Sequence, residues 1–125
     1  MRMVLAIGLG GALGAVSRHF MAGWIARMTG HGFPWGIMIV NILGSFLMGL
    51  LITYLSRHFD TTPELRAFIV VGVLGGFTTF STFSLETALL IERGQLAEAA
   101  GYVTGSVVLA IGGLFAGLWL GRIIT

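Results

Sequence analysis

Apolar residues fall in four long blocks, at about 3–28, 34–57, 64–93 and 97–122, with short polar breaks between them. Each block reaches or exceeds the roughly 20 residues that a helix needs to cross a bilayer. The second holds 25 uncharged residues between His31 and Arg57, with Pro34 at its start, where a missing N–H costs little. The third opens with Thr62 as a cap and Pro63 at the first helical position. The fourth holds 23 uncharged residues between Glu98 and Arg122. The first is the least uniform, because Arg18 and His19 interrupt its second half. Its opening, MRMVLAIGLGGALG, has the layout of a signal peptide, but the apolar run meets Arg18 rather than a polar mature domain, so a retained span is expected. Connections of about five to eight residues leave no room for a soluble domain and make neighbouring helices antiparallel. The pattern therefore predicts an all-α integral membrane protein, with residues 1–125 forming a single transmembrane domain of four helices.

Composition agrees. The chain is 56% hydrophobic and 10% charged, with a mean hydropathy of +0.96, against about 45–50% apolar residues in soluble domains. Its seven basic residues are all arginine and its net charge is +2, too small and scattered for a nucleic-acid partner or a polybasic membrane patch. Cysteine is absent, which removes disulfides, thiolate metal sites and cysteine nucleophiles. No nucleophile with a base, paired carboxylates or phosphate loop emerges, so an enzyme is not expected. Arg2, Arg57, Arg66 and Arg122 fall on one side of the membrane and Arg18, Arg27 and Arg93 on the other. Such weak bias permits insertion in either orientation. Two chains of opposite orientation would form an antiparallel homodimer with closed two-fold symmetry.

The polar residues inside the spans carry the chemistry. Residues 75–84 read GGFTTFSTFS, and the midpoint of the third span falls at Thr78 or Thr79. Gly75 and Gly76 are poor helix formers, and the threonine hydroxyls compete for backbone carbonyls, so a break near the middle of this helix is expected. Freed carbonyls at such a break are able to coordinate a cation. Phe80 and Phe83 share one face, Ser81 and Ser84 another. Either the rings pack against lipid and neighbouring helices while the hydroxyls bond to the preceding turn, or the positive ring edges face a wet gap suited to an anion; the residue types leave both open. Asn41 is the only asparagine in the chain. It is either a hydrogen bond between helices, worth about 0.6–2 kcal/mol, or a double donor in a polar cavity beside Gly44 and Ser45. Tyr102 and Ser106 make a hydroxyl stripe on the fourth span. Gly10 and Gly14, and Gly113, Gly117 and Gly121, have the spacing of packing seams. Arg18 and Glu86 are candidates for an intramembrane ion pair or for snorkelling to the interface. Trp24, Trp35 and Trp119 sit where interfacial anchors belong; His19, His31 and His58 lack metal-ligand spacing and read as interfacial residues.

With GALGAVSRH, VNILGS and GGFTTFSTFSLE in this order along four spans, essentially the whole chain resembles the small bacterial fluoride channels of the Fluc (CrcB) family. The resemblance implies an antiparallel, dual-topology homodimer in the bacterial inner membrane, with two pores that export fluoride passively. It implies that Asn41 donates to the ion and that the edges of Phe80 and Phe83 face it. Ser81, Thr82, Tyr102 and Ser106 would be polar positions beside the rings, Glu86 a glutamate near one end of the path, and Arg18 a vestibular arginine. The carbonyls of Gly75 and Thr78 would hold a structural sodium ion on the two-fold axis. Two positions depart from the family pattern: Ala110 and Ile37 stand where a hydroxyl is expected. A small multidrug antiporter would share four short-looped spans and dual topology, but needs a carboxylate in the first span, which has none. A non-transporting scaffold would leave the midplane cluster without a purpose.

Overall fold

The computed structural model describes residues 1–58 and 60–125. Among the described residues there is no strand, and four helical stretches are long and apolar enough to cross a membrane: Arg2–Thr29, Trp35–Ser56, Pro63–Glu92 and Leu96–Ile124. Every bound lies within two residues of the range read from the hydropathy pattern. We label Arg2–Thr29 α1 and Trp35–Ser56 α2, divide the third stretch into α3 (residues 63–77) and α4 (Phe80–Glu92), and call Leu96–Ile124 α5.

Local chemistry sets the ends. α1 stops at Gly30, whose φ of 87° is open to glycine at little cost. Thr62 caps α3, its Oγ1 accepting the Leu65 N–H at 3.1 Å, with Pro63 at the first position. Gly94, at φ 77°, turns the chain between α4 and α5. Within α3, Ala67–Leu74 is wound more loosely than an α-helix, and the Gly75 N–H reaches the Val70 carbonyl five residues back.

Two close pairings build the bundle. α5 lies along α2, and α1 lies along α3. Lipid tails are as apolar as leucine, so burying side chains does little to join membrane helices, and backbone approach with dispersion does more. The glycines permit that approach. A methyl group on Gly14 would overlap the Val73 carbonyl and stand 2.7 Å from the Phe77 nitrogen; one on Gly117 would overlap the Phe46 carbonyl. Few large side chains are fully enclosed: Val40, Leu90 and Tyr102. Leu5, Leu9, Leu13, Phe20 and Trp24 of α1, with Val108, Phe115 and Trp119 of α5, point outward, as side chains in hydrocarbon can without penalty.

The α1–α3 seam makes the first test. Gly14→Ala should lower the thermal midpoint in detergent, since overpacking costs about 1–3 kcal/mol and outweighs the gain in helix propensity. Gly101→Ala, with no atom within 4 Å of the added carbon, should not lower it. An unchanged midpoint for Gly14→Ala contradicts the contact.

Candidate functional site

Helical backbone lapses between α3 and α4, where Thr78 (φ −87°, ψ 157°) and Thr79 (φ −152°, ψ 124°) are extended. The lapse is not at the glycines: Gly75 keeps helical dihedrals (φ −63°, ψ −37°), and Gly76 serves close approach, its α-carbon facing the Gly11 backbone. In an unbroken helix the N–H of residue 79 would bond to carbonyl 75, and that of residue 82 to carbonyl 78. Both are diverted to side chains. The Thr79 N–H donates to Asn41 Oδ1 at 2.8 Å, and Asn41 Nδ2 donates back to the Thr79 carbonyl at 3.0 Å. The Thr82 N–H donates to Thr79 Oγ1 at 3.1 Å, so Thr79 also caps α4. The Asn41 amide thus pairs with an extended residue as one strand pairs with another. The pairing fixes which end of the amide is which, and one of its two N–H groups remains over.

The released carbonyls meet a cation. Arg18 Nη1, from α1, donates to the Gly76 carbonyl at 2.7 Å and to the Thr78 carbonyl at 3.3 Å. Positive charge belongs at the C-terminal end of a helix, where unpaired carbonyls concentrate negative potential. At the opposite end, the N–H groups of Phe80 and Ser81 have no acceptor among the described residues. The interruption therefore presents a carbonyl end and an amide end two residues apart.

Two hollows flank it. A groove of about 350 Å³ is lined by Asn41, Ser45, Thr78, Thr79, Phe80, Phe83 and Ser106, with Val107, Ala110 and Ile111 as its apolar wall. Phe80 is 77% exposed, and its ring centroid lies 5.4 Å from that of Phe83 at 44°. Phe83 leans on Tyr102 at 5.2 Å, and Tyr102 meets Phe33 nearly edge-on at 5.6 Å and 86°. Among the described residues the Tyr102 and Ser106 hydroxyls, both buried, have no hydrogen-bond partner. Such orphans cost about 1–3 kcal/mol each, which a ligand or water would recover. The second hollow, about 440 Å³, is lined by Arg18, His19, His31, Ile37, Thr82 and Glu86 among others.

The residues singled out in the sequence thus divide. Asn41, Phe80, Phe83 and Ser106 come together on the groove with Thr78, and Tyr102 stands behind Phe83. Arg18, Thr82 and Glu86 share the larger cavity; Arg18 directs its hydrogen bonds to backbone carbonyls, and Glu86 shares only the cavity wall with it. Ser81 is exposed, its hydroxyl 3.2 Å from Thr79 Oγ1. Gly75 is exposed and lines neither hollow. Ala110 lines the groove one turn beyond Ser106, and Ile37 the other cavity. The sequence pattern placed Thr79 at the expected break but gave it no role in the site, which turns on it. It read His19 and His31 only as interfacial residues, whereas both line the larger cavity.

The chain belongs to the CrcB family. The model of that family, described as CrcB-like protein, Camphor Resistance (CrcB), matches residues 5–118. Among curated relatives, a fluoride-specific ion channel FluC of Rhodospirillum centenum is 52% identical over 98% of this chain and 97% of its own length. One of Agrobacterium fabrum is 50% identical over 93% of each chain, and one of Rhizobium meliloti is 44% identical over 98% of each.

Replacing Asn41 tests the pairing. Asn41→Leu keeps the bulk but strips the Thr79 N–H and carbonyl of their partners, which should cost about 1–3 kcal/mol per group. Thermal unfolding should shift accordingly, and the Thr79 amide should exchange its hydrogen faster. Unchanged exchange contradicts the pairing.

Proposed function

We propose that this protein is a fluoride channel of the bacterial inner membrane, passing the ion down its gradient as an antiparallel, dual-topology homodimer with two pores. The names of relatives that match nearly the whole chain support the ion. The observation that carries the reading is the groove at the amide end of the interruption. Asn41, with one N–H to spare, Ser106, whose hydroxyl lacks a partner among the described residues, and the Phe80 and Phe83 rings line that one groove.

Fluoride is small and holds its water tightly, so a pore must supply donors already in position when that water leaves. Hydrogen bonds to a charged group contribute about 1.5–3 kcal/mol each, net of the water they replace, so each donor already in place favours the dehydrated ion. Asn41 donates from the wall of the groove. Phe80 and Phe83 present ring edges, positive by the quadrupole, which discourage a cation and bind an anion loosely enough to release it. Tyr102 and Ser106 extend the donor stripe, and Ser81 and Thr82 add hydroxyls at the start of α4. The Arg18 side of the larger cavity gathers anions, with Glu86 near one end of the path. Ala110 and Ile37 limit the donor track at positions where a hydroxyl would lengthen it.

A sodium ion fits the other end of the interruption. With the N–H groups of residues 79 and 82 diverted, the Gly75 and Thr78 carbonyls lack helical partners. Gly75 is exposed on the single chain, open to a second copy. Carbonyl oxygens from unwound membrane helices suit sodium, which would supply fixed positive charge on the two-fold axis. Thr78 has a second lone pair beside the one facing Arg18. An antiporter of the small multidrug type is disfavoured, because α1 carries no carboxylate to exchange protons.

Purified protein in liposomes should release fluoride far faster than chloride; release no faster than from empty vesicles would reject the reading. Phe80→Ile and Phe83→Ile should each cut fluoride flux strongly while leaving the dimer intact, and unchanged rates would remove the rings from the path. Exchanging all sodium for a bulky organic cation should weaken flux, and equal flux after exhaustive exchange would count against the central ion.

A further inference from the structure

We propose that Arg18 is a positioning residue: by holding the carbonyl ends of α3, it fixes where Thr79 and Phe80 stand. The inference rests on the channel reading and adds to it, since a vestibular arginine needs only to attract anions. The geometry asks more of this one. Its Nη1 bonds the carbonyls on either side of Phe77, 2.7 Å from Gly76 and 3.3 Å from Thr78. Those carbonyls belong to the last helical turn and to the first extended residue, so the contact spans the point where the backbone changes direction.

The rest of α1 keeps that contact stiff. Gly14, one turn earlier, lies against the backbone of Val73 and Phe77, so α1 cannot slide along α3 without a clash. Arg18 is partly buried, and a charge at this depth is expensive unless paired. Here two carbonyls at a helix C-terminus pair it, an arrangement favoured by the macrodipole. At the next residue along, Asn41 holds the Thr79 N–H and carbonyl. α1 and α2 thus both hold the interruption, at adjacent residues, and Phe80, the next residue, inherits its direction from both. A planar guanidinium serves two acceptors in fixed directions; an ammonium on a flexible stem keeps the charge and loses that geometry.

Recruitment and positioning separate in the concentration dependence of flux. Fluoride flux in liposomes is measured from dilute to saturating fluoride for the wild type, Arg18→Lys and Arg18→Gln, with dimers checked by size exclusion. Positioning predicts that Arg18→Lys loses about tenfold or more of the saturated flux, a barrier change of about 1.4 kcal/mol, with little change in the half-saturating concentration. Wild-type flux in Arg18→Lys, or a deficit that vanishes at saturation, overturns the proposal. A second readout needs no conduction: 4-fluorophenylalanine at position 80, read by fluorine NMR in fluoride-free buffer. Its resonance should move in both Arg18 variants and stay in Arg27→Gln, which alters an exposed arginine of the same helix. A resonance unmoved by either Arg18 variant overturns the proposal. A wild-type protein that passes no fluoride would sink the channel reading, while the resonance would still decide the role of Arg18.

Discussion

Two extended residues inside an apolar helix leave backbone groups that lipid cannot satisfy, each at a cost of several kcal/mol. The reciprocal pair between the Asn41 amide and the Thr79 backbone meets that constraint. The other way to satisfy these groups is an unbroken helix, in which the Thr79 N–H would bond the Gly75 carbonyl and α3 would run on into α4. Thr79 would then lose its place as the cap of α4, the Gly76 and Thr78 carbonyls would no longer be free for Arg18, and the first N–H groups of α4 would be consumed. The site depends on one side-chain amide imitating a strand.

The interruption is useful because its two ends differ in sign. Helix dipoles place partial negative charge at the end of α3 and partial positive charge at the start of α4, and the two lie within a dipeptide of each other. The negative end meets the Arg18 guanidinium; the positive end opens on a groove with orphan hydroxyl and amide donors. A chain with a net charge of only +2 thereby sets opposite partial charges a dipeptide apart without placing a carboxylate at the centre. Small residues make the geometry attainable. Gly14 lets α1 come near enough for Arg18 to reach across, and Gly44 faces the Thr78 side chain so that α2 can bring Asn41 alongside.

The four helices were legible because hydrocarbon thickness imposes one length on every span, and Thr62–Pro63 marks a start in any context. The glycine seams were legible too, since spacing of four puts small residues on one face. Other features are set by contacts that sequence order does not reveal. Asn41 and Thr79 are 38 residues apart, and nothing local says that most of the amide is spent on backbone. The GGFTT stretch marked the right region through its glycines and threonines together; Gly75 keeps helical dihedrals and the extended residues are the threonines, whose partners Asn41 and Arg18 lie on other helices. Arg18 was recognisable as a costly charge, but its acceptors are backbone carbonyls that no residue pattern announces. The loose winding of Ala67–Leu74 runs through plain apolar sequence and has no signal in it.

Because Asn41 is the only asparagine, labelling asparagine alone with nitrogen-15 gives a single side-chain amide whose two protons report separately. In lipid nanodiscs, the account predicts that titrating fluoride shifts the proton left free by Thr79, moves the bonded proton far less, and that equal chloride shifts neither. Two protons that ignore fluoride, or that respond alike to both halides, would contradict it.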